Sequence, residues 1–346
     1  MVARLRIEAP LGWFGRGALV PSAAVVVDAG EVVYAGPSAG AADAEEIVHP
    51  GGFLMSAVAD RHVHIRVSDP AAVLYRGVAA VRDLAWDPDD VFPLAEASEL
   101  PSFNGPLIRA VGPMLTGPGG YPTRATWAPA RAARELHGPD DAANAVRLLA
   151  DRGAFAIKVS LNAEAGPTPT DAELVTIVEV AHERGLPVTA HAQGSGQPER
   201  ALGAGVDELA HTPWTDRLPD ETVEGLARAT RIVSTLDIWS FGEVTEELRV
   251  ACDNLTRFRN AGGRVVYGTD LGNGAVPPGI DVREAFLFHE ACRMPVEDVL
   301  SAMTAGPLRP GAPADLIALA ADPFEDLSAL GELRCVMRAG RLVRSS

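Results

Sequence analysis

With 346 residues, 47% of them hydrophobic, the chain is long enough to bury one large core, and an α/β barrel commonly takes that much sequence as a single domain. A formal charge of −16 repels phosphate backbones and anionic lipid heads, and no cluster of Lys or Arg offsets it locally. Nucleic acid and membrane are therefore not expected as partners; a small-molecule substrate is, with assembly into a homo-oligomer left open.

In chain order, the first fifty residues give short β-type runs at 3–7, 23–27 and 32–35, separated by Gly and Pro. The apolar stretch 18–27 is broken by Pro21 and has no cleavage-site pattern, so it reads as neither signal peptide nor membrane span, and a cytoplasmic location is expected. The last forty residues return to β character at 314–320, 335–338 and 342–344. Segments 1–52 and 308–346 are expected to pair into one small β-sandwich domain.

Between them, short apolar runs alternate with longer amphipathic segments, the pattern of βα units around a parallel sheet. Eight strands are predicted at 54–58, 78–84, 107–111, 154–159, 187–190, 208–210, 232–236 and 264–268. That number of units in about 250 residues predicts a closed (β/α)8 TIM-type barrel over 53–307. One helix is well marked: Thr170 and Glu173 form a capping box, Leu174, Ile177, Val178 and Ala181 follow at helical spacing, and Gly185 ends it. Cys252, Cys292 and Cys335 are odd in number and widely spaced, which fits core thiols rather than a disulfide framework or zinc knuckle.

The 30 cationic residues include a single lysine, Lys158. A chain that uses arginine everywhere else keeps a lysine where amine chemistry is required. His62 and His64, with one residue between them, project to one side of an extended backbone, although alone they do not separate a metal pair from two polar loop residues. Lys158 is placed at the close of the fourth predicted strand, His191 of the fifth and His211 of the sixth, and Asp270 follows the eighth. Six ionisable groups at strand ends gather where a barrel places its active site.

Pro50-Gly51-Gly52 through Asp60-Arg61-His62-Val63-His64 resembles the opening motif of the amidohydrolase superfamily. The likeness continues at 77–84, at Ile157-Lys158-Val159, at Thr189-Ala190-His191-Ala192, at Leu209-Ala210-His211, and at 310–316, and it is similar in flavour to imidazolonepropionase-like enzymes and metal-dependent prolidases. The resemblance implies two divalent ions, with His62, His64 and Asp270 on one, His191 and His211 on the other, and a CO2-derived carbamate on Lys158 bridging them. Carbon dioxide adds only to a neutral amine, which arginine's guanidinium cannot supply. Such ligands suit Zn²⁺ first, with Fe²⁺, Mn²⁺ or Co²⁺ as alternatives. The implied chemistry is hydroxide attack on a polarised carbonyl, with Asp270 as the proton carrier, to cleave an amide, another C–N bond or a lactone.

The pattern His-x-His-x-Arg brings in Arg66, which either holds a substrate carboxylate, as in the cyclic-amidase branch it resembles, or makes a salt bridge to an acid such as Asp83. Trp86, Trp127, Trp214 and Trp239, four of the five tryptophans, follow predicted strands, and Tyr121 and Phe241 join them as candidate walls of a broad apolar pocket. Gly119-Gly120-Tyr121 stands where relatives carry a histidine after paired glycines, and the segment 304–310 is short for the family. His49, His137, His182 and His289 lie away from strand ends. Two further readings use the same residues: di-iron oxygen chemistry, and a non-catalytic binding relative that kept the scaffold.

Overall fold

The structure, a computed structural model, describes residues 4–274 and 276–345. The chain opens with β1 (Leu5–Trp13), β2 (Leu19–Asp28), β3 (Glu31–Pro37), β4 (Glu46–Val48) and β5 (Phe53–Ser56). The middle supplies β6 (Val58–Val63), β7 (Val78–Asp83), β8 (Leu107–Ala110), β9 (Met114–Thr116), β10 (Ala133–Glu135), β11 (Ile157–Asn162), β12 (Val188–Gln193), β13 (Glu208–Leu209), β14 (Arg231–Val233) and β15 (Arg264–Val266). It closes with β16 (Leu316–Leu319), β17 (Leu333–Arg338) and β18 (Arg341–Ser345).

The two ends of the chain build one mixed sheet in the order β18-β17-β16-β5-β1-β2-β3, with β4 beside β1. The expected sandwich is thus corrected to a single hydrogen-bonded path, whose β3 end is tied to the segment entering β16 by Val32 N–H to Ala312 O and Ala314 N–H to Gly30 O. It encloses its own apolar cluster, including Ile7, Val25, Val27, Leu54, Leu316 and Cys335. The β-branched run Val25–Val27 favours this pleated, buried setting. The apolar stretch weighed as a leader or span lies largely in β2, and among the described residues no helix is long and apolar enough to cross a membrane.

A second correction concerns the first predicted central strand. Residues Phe53–Ser56 pair with β1 and β16 in the terminal sheet, and the first central strand is β6, which itself contains His62. The terminal sheet therefore takes in residues expected on the other side of a boundary at 52. A continuous apolar run hides this change, because Ala57 is the only residue between the two strands.

The central strands are parallel, ordered β6-β7-β8 in one sheet and β10-β9-β11-β12-β13-β14-β15 in the other. Backbone bonds cross both seams: Phe155 N–H to Ala110 O joins β8 to the entry of β11, while Arg61 N–H to Tyr267 O and Asp270 N–H to His62 O join the exit of β15 to β6. Helices lie between successive strands and bury one face. Asp171–Glu183 begins with the predicted capping box from Thr170 and Glu173, and buries Leu174, Ile177, Val178 and Ala181. Each such aliphatic side chain contributes about 1.5–3 kcal/mol when fully buried. The fold is mixed α/β, with parallel sheets in which strands such as β6, β11 and β12 are buried on both faces. All three cysteines are buried and free.

Central strands are also tied by charge. Glu208 is buried, bonds Arg82 at 3.0 Å, accepts from Thr189 Oγ1 at 3.0 Å, and also pairs with Arg231. These side chains come from β7, β12, β13 and β14, so one buried carboxylate holds four central strands together.

Candidate metal centre

His62 lies within β6 and His64 just after it. Both rings are fixed by backbone carbonyls: His62 Nδ1 donates to Ala210 O at 2.7 Å and His64 Nδ1 to Ala85 O at 3.0 Å. That leaves Nδ1 as the donor to the backbone and turns both Nε2 atoms inward, where they lie 3.2 Å and 3.3 Å from Asp270 Oδ1. Asp270 occupies a left-handed backbone conformation at φ 56° in the turn after β15. Burial would raise its pKa, but the neighbouring His62 ring and the His64 hydrogen bond hold it well below the usual carboxylate range.

On the neighbouring strands, His191 lies within β12 and His211 shortly after β13, with His211 Nε2 3.0 Å from His191 Nδ1. His211 Nδ1 meets Thr235 Oγ1 at 2.9 Å, and His191 Nε2 meets the Asn162 amide at 2.9 Å. The His62 and His211 rings are 4.5 Å apart, and ligand atoms of His62, His211 and Asp270 lie within 4.8 Å of one another. Burial pushes His191 and His211 well down and His62 to about 3, so these three rings offer lone pairs rather than charge. On His64 burial acts the same way, but Asp270 outweighs it and its pKa is raised.

Lys158 departs from its expected position. It is the second residue of β11 rather than the last of its strand, because that strand runs on to Asn162. Its amine is fully buried, has no hydrogen-bond partner, and is pushed down to about 7 by burial. An unpaired buried ammonium is costly, whereas a neutral amine at this place can be converted into an anionic ligand. The residues present fit the implied metal group: four imidazoles, one ionised carboxylate and one amine with nothing else to bind.

Aromatic rings surround the cluster. Trp127 packs 4.2 Å from His64 and donates its indole N–H to the Tyr121 hydroxyl at 3.1 Å, and Tyr121 lies 5.1 Å from His191. Burial raises the Tyr121 hydroxyl above its ordinary range, so it remains a neutral donor. Trp214 and Trp239 stack at 4.6 Å, with Trp239 6.5 Å from His211. Trp86 lies 6.5 Å from Trp127, while Phe241 is 44% exposed.

Arg66 is not drawn into the cluster. Its guanidinium bonds Asp90 at 2.8 Å in solvent, and Asp83, the acid considered for it, instead accepts from Ile65 N–H. His49 faces Glu8, His182 meets Asp207, and His289 bonds Met294 O. Residues not singled out from the sequence are Asn162, which orients His191, Thr235, which orients His211, and Asp60, which binds the backbone at His62 and Thr269. Two-residue spacing from Lys158 through Ser160 to Asn162 would have revealed the first.

Ochratoxinase of Aspergillus niger is 30% identical over 233 residues, a match spanning 58% of this chain and 48% of that protein, so the chain spans about half the length of this relative. The A. niger ochratoxinase crystal structure superposes with a TM-score of 0.83 at 21% identity, covering 99% of this chain and 96% of that one. A Xaa-Pro dipeptidase with bound methionine gives 0.82 at 21% identity, covering 98% and 99%. Residues 71–343 match the sequence model of the amidohydrolase family, and that span, most of the chain, shows that this protein belongs to the amidohydrolase family.

Proposed function

We propose that this protein is a metal-dependent hydrolase of C–N bonds, acting on an amide whose flanking group is bulky and apolar, within a closed (β/α)8 barrel. The observation that carries the reading is the convergence of His62, His64, His191, His211 and Asp270 near an unpartnered buried Lys158 amine. His62, His64 and Asp270 would hold one divalent cation, His191 and His211 a second, with carboxylated Lys158 between them. When bound, such a pair lowers the pKa of a shared water toward neutrality and polarises the scissile carbonyl, and zinc suits the donor set.

The chain's own residues supply the rest. Asp270, kept ionised, is the base that accepts a proton and returns it to the leaving nitrogen. The carbonyls of Ala210 and Ala85 hold His62 and His64 in one orientation, so little reorganisation is needed during reaction. The Tyr121 hydroxyl beside His191 can donate to the developing oxyanion where relatives use a histidine. Trp127, Trp214 and Trp239 wall the space and favour flat apolar groups over small polar ones. Ochratoxinase and the Xaa-Pro dipeptidase, both named for hydrolytic activity, support the class of reaction.

The test is zinc-loaded protein assayed on N-(2-naphthoyl)-L-phenylalanine beside N-acetylglycine, with metal content measured on the same sample. Two equivalents of metal and at least roughly tenfold faster cleavage of the aryl amide are expected. Metal bound at two equivalents with neither amide cleaved would overturn the proposal.

A further inference from the structure

We propose that Gln193 is a specificity-determining residue that reads a carboxamide-type edge of the substrate, a neighbouring C=O and N–H; this rests on the hydrolase reading above. Gln193 ends β12, two residues after His191, so the strand pleat puts its side chain on the same face about 6.5 Å nearer the carboxyl end. The register agrees, because Gln193 pairs with Asn162, whose side chain reaches His191. Ala192, between them, lines a cavity on the opposite side with Pro198 and Pro213.

Gln193 is 2% exposed, and neither its amide oxygen nor its amide nitrogen has a hydrogen-bond partner. A buried amide with both ends unpaired is the costly kind of polar group, and a ligand that satisfies both ends removes the cost. Two more unpaired donors lie on the segments that follow β13 and β14. Gly194 N–H bonds Thr215 Oγ1 at 2.9 Å, which brings the end of β12 against Trp214, and the indole N–H groups of Trp214 and the stacked Trp239 both lack partners.

The group that fits is neutral. The Gln193 oxygen needs a donor, which a carboxylate does not carry, and the one arginine expected to face a substrate carboxylate, Arg66, is paired with Asp90. A carboxamide, lactam or ureide offers both a donor and an acceptor on one edge, and the indole N–H groups can take a second oxygen. Because the amide is buried, a ligand reaches it only when the side chains covering it move.

The test is calorimetric titration of the zinc-loaded protein with 1-naphthamide and with 1-acetonaphthone, which keeps the ring and the acceptor but has no N–H. About tenfold tighter binding of the carboxamide is expected, falling to within about twofold in Gln193→Leu and in the nearly isosteric Gln193→Met at unchanged zinc content. No preference in the wild type, or a preference that persists in either zinc-replete variant, overturns the assignment. Turnover of the aryl amide is scored separately. A Gln193-dependent preference without turnover would sink the hydrolase reading and leave this one, and turnover without the preference would do the reverse.

Discussion

Thr269 Oγ1 donates to Asp60 Oδ2 at 2.6 Å, and the same carboxylate accepts from the backbone N–H groups of His62 and Thr269 at 3.0 Å and 3.1 Å. Thr269 Oγ1 in turn accepts from Leu271 N–H at 3.1 Å. One buried carboxylate thus fixes the distance between the strand bearing His62 and the left-handed turn bearing Asp270. Thr269→Val keeps the shape and removes the hydroxyl. Its expected effect is a ten- to hundredfold loss of metal affinity, roughly the range for groups that orient ligands, with little change in circular dichroism. Metal titration giving wild-type affinity would show that Asp270 needs no such tether.

Lys158 carries a cost in the fold. Its buried, unpaired amine costs the metal-free fold about 1–3 kcal/mol, the usual penalty for an unsatisfied polar group. Lys158→Met fills nearly the same volume without the amine. In chelator-treated protein this variant is expected to be about 1 kcal/mol more stable in urea than the wild type, while binding far less metal. A variant that is less stable when metal-free, or that still holds two equivalents of metal, would contradict the assigned role.

Arg66 is the residue for which sequence reasoning left two outcomes. Its exposed pairing with Asp90 supports the structural one, and a surface pair of this kind is worth about 0–1 kcal/mol. Arg66→Ala is expected to change KM for N-(2-naphthoyl)-L-phenylalanine by less than about twofold and stability by at most that amount. A tenfold rise in KM with unchanged kcat would mean that Arg66 swings inward to hold the substrate carboxylate.

Much of the candidate site was legible because its residues recur within or just after successive strands, where period-two spacing and Gly and Pro punctuation place them. His62, His64, His191, His211 and Asp270 meet as their positions along the alternating βα pattern required. The first central strand was misplaced because 53–59 is apolar almost throughout, and only pairing with β1 and β16 shows that the chain changes sheets at Ala57. Lys158 was set at the wrong end of its strand for a related reason: Ser160 and Asn162 are polar yet face the interior, which ends an apolar run without ending the strand. Gln193 was invisible to periodicity because its significance lies in having no partner.

A buried carboxylate pair, Asp281 and Asp237, is expected to link pH to stability. Asp281 is buried at the start of the helix Val282–Phe286, and burial, reinforced by the neighbouring Asp237, pushes its pKa up to about 6 from a model-peptide value of 3.8. Between those two values the folded state holds the proton more tightly than the unfolded chain, so stability falls as pH rises through that window and stays low above it. Asp281→Asn keeps the oxygen that accepts from Arg283 N–H and has no charge to bury. Its advantage over the wild type is expected to be near zero at about pH 4 and on the order of 1–2 kcal/mol at about pH 8, read from urea unfolding of both proteins. Groups at the metal centre titrate in both proteins and cancel in the difference. An offset that does not change between the two pH values would show that Asp281 carries no excess proton in the fold.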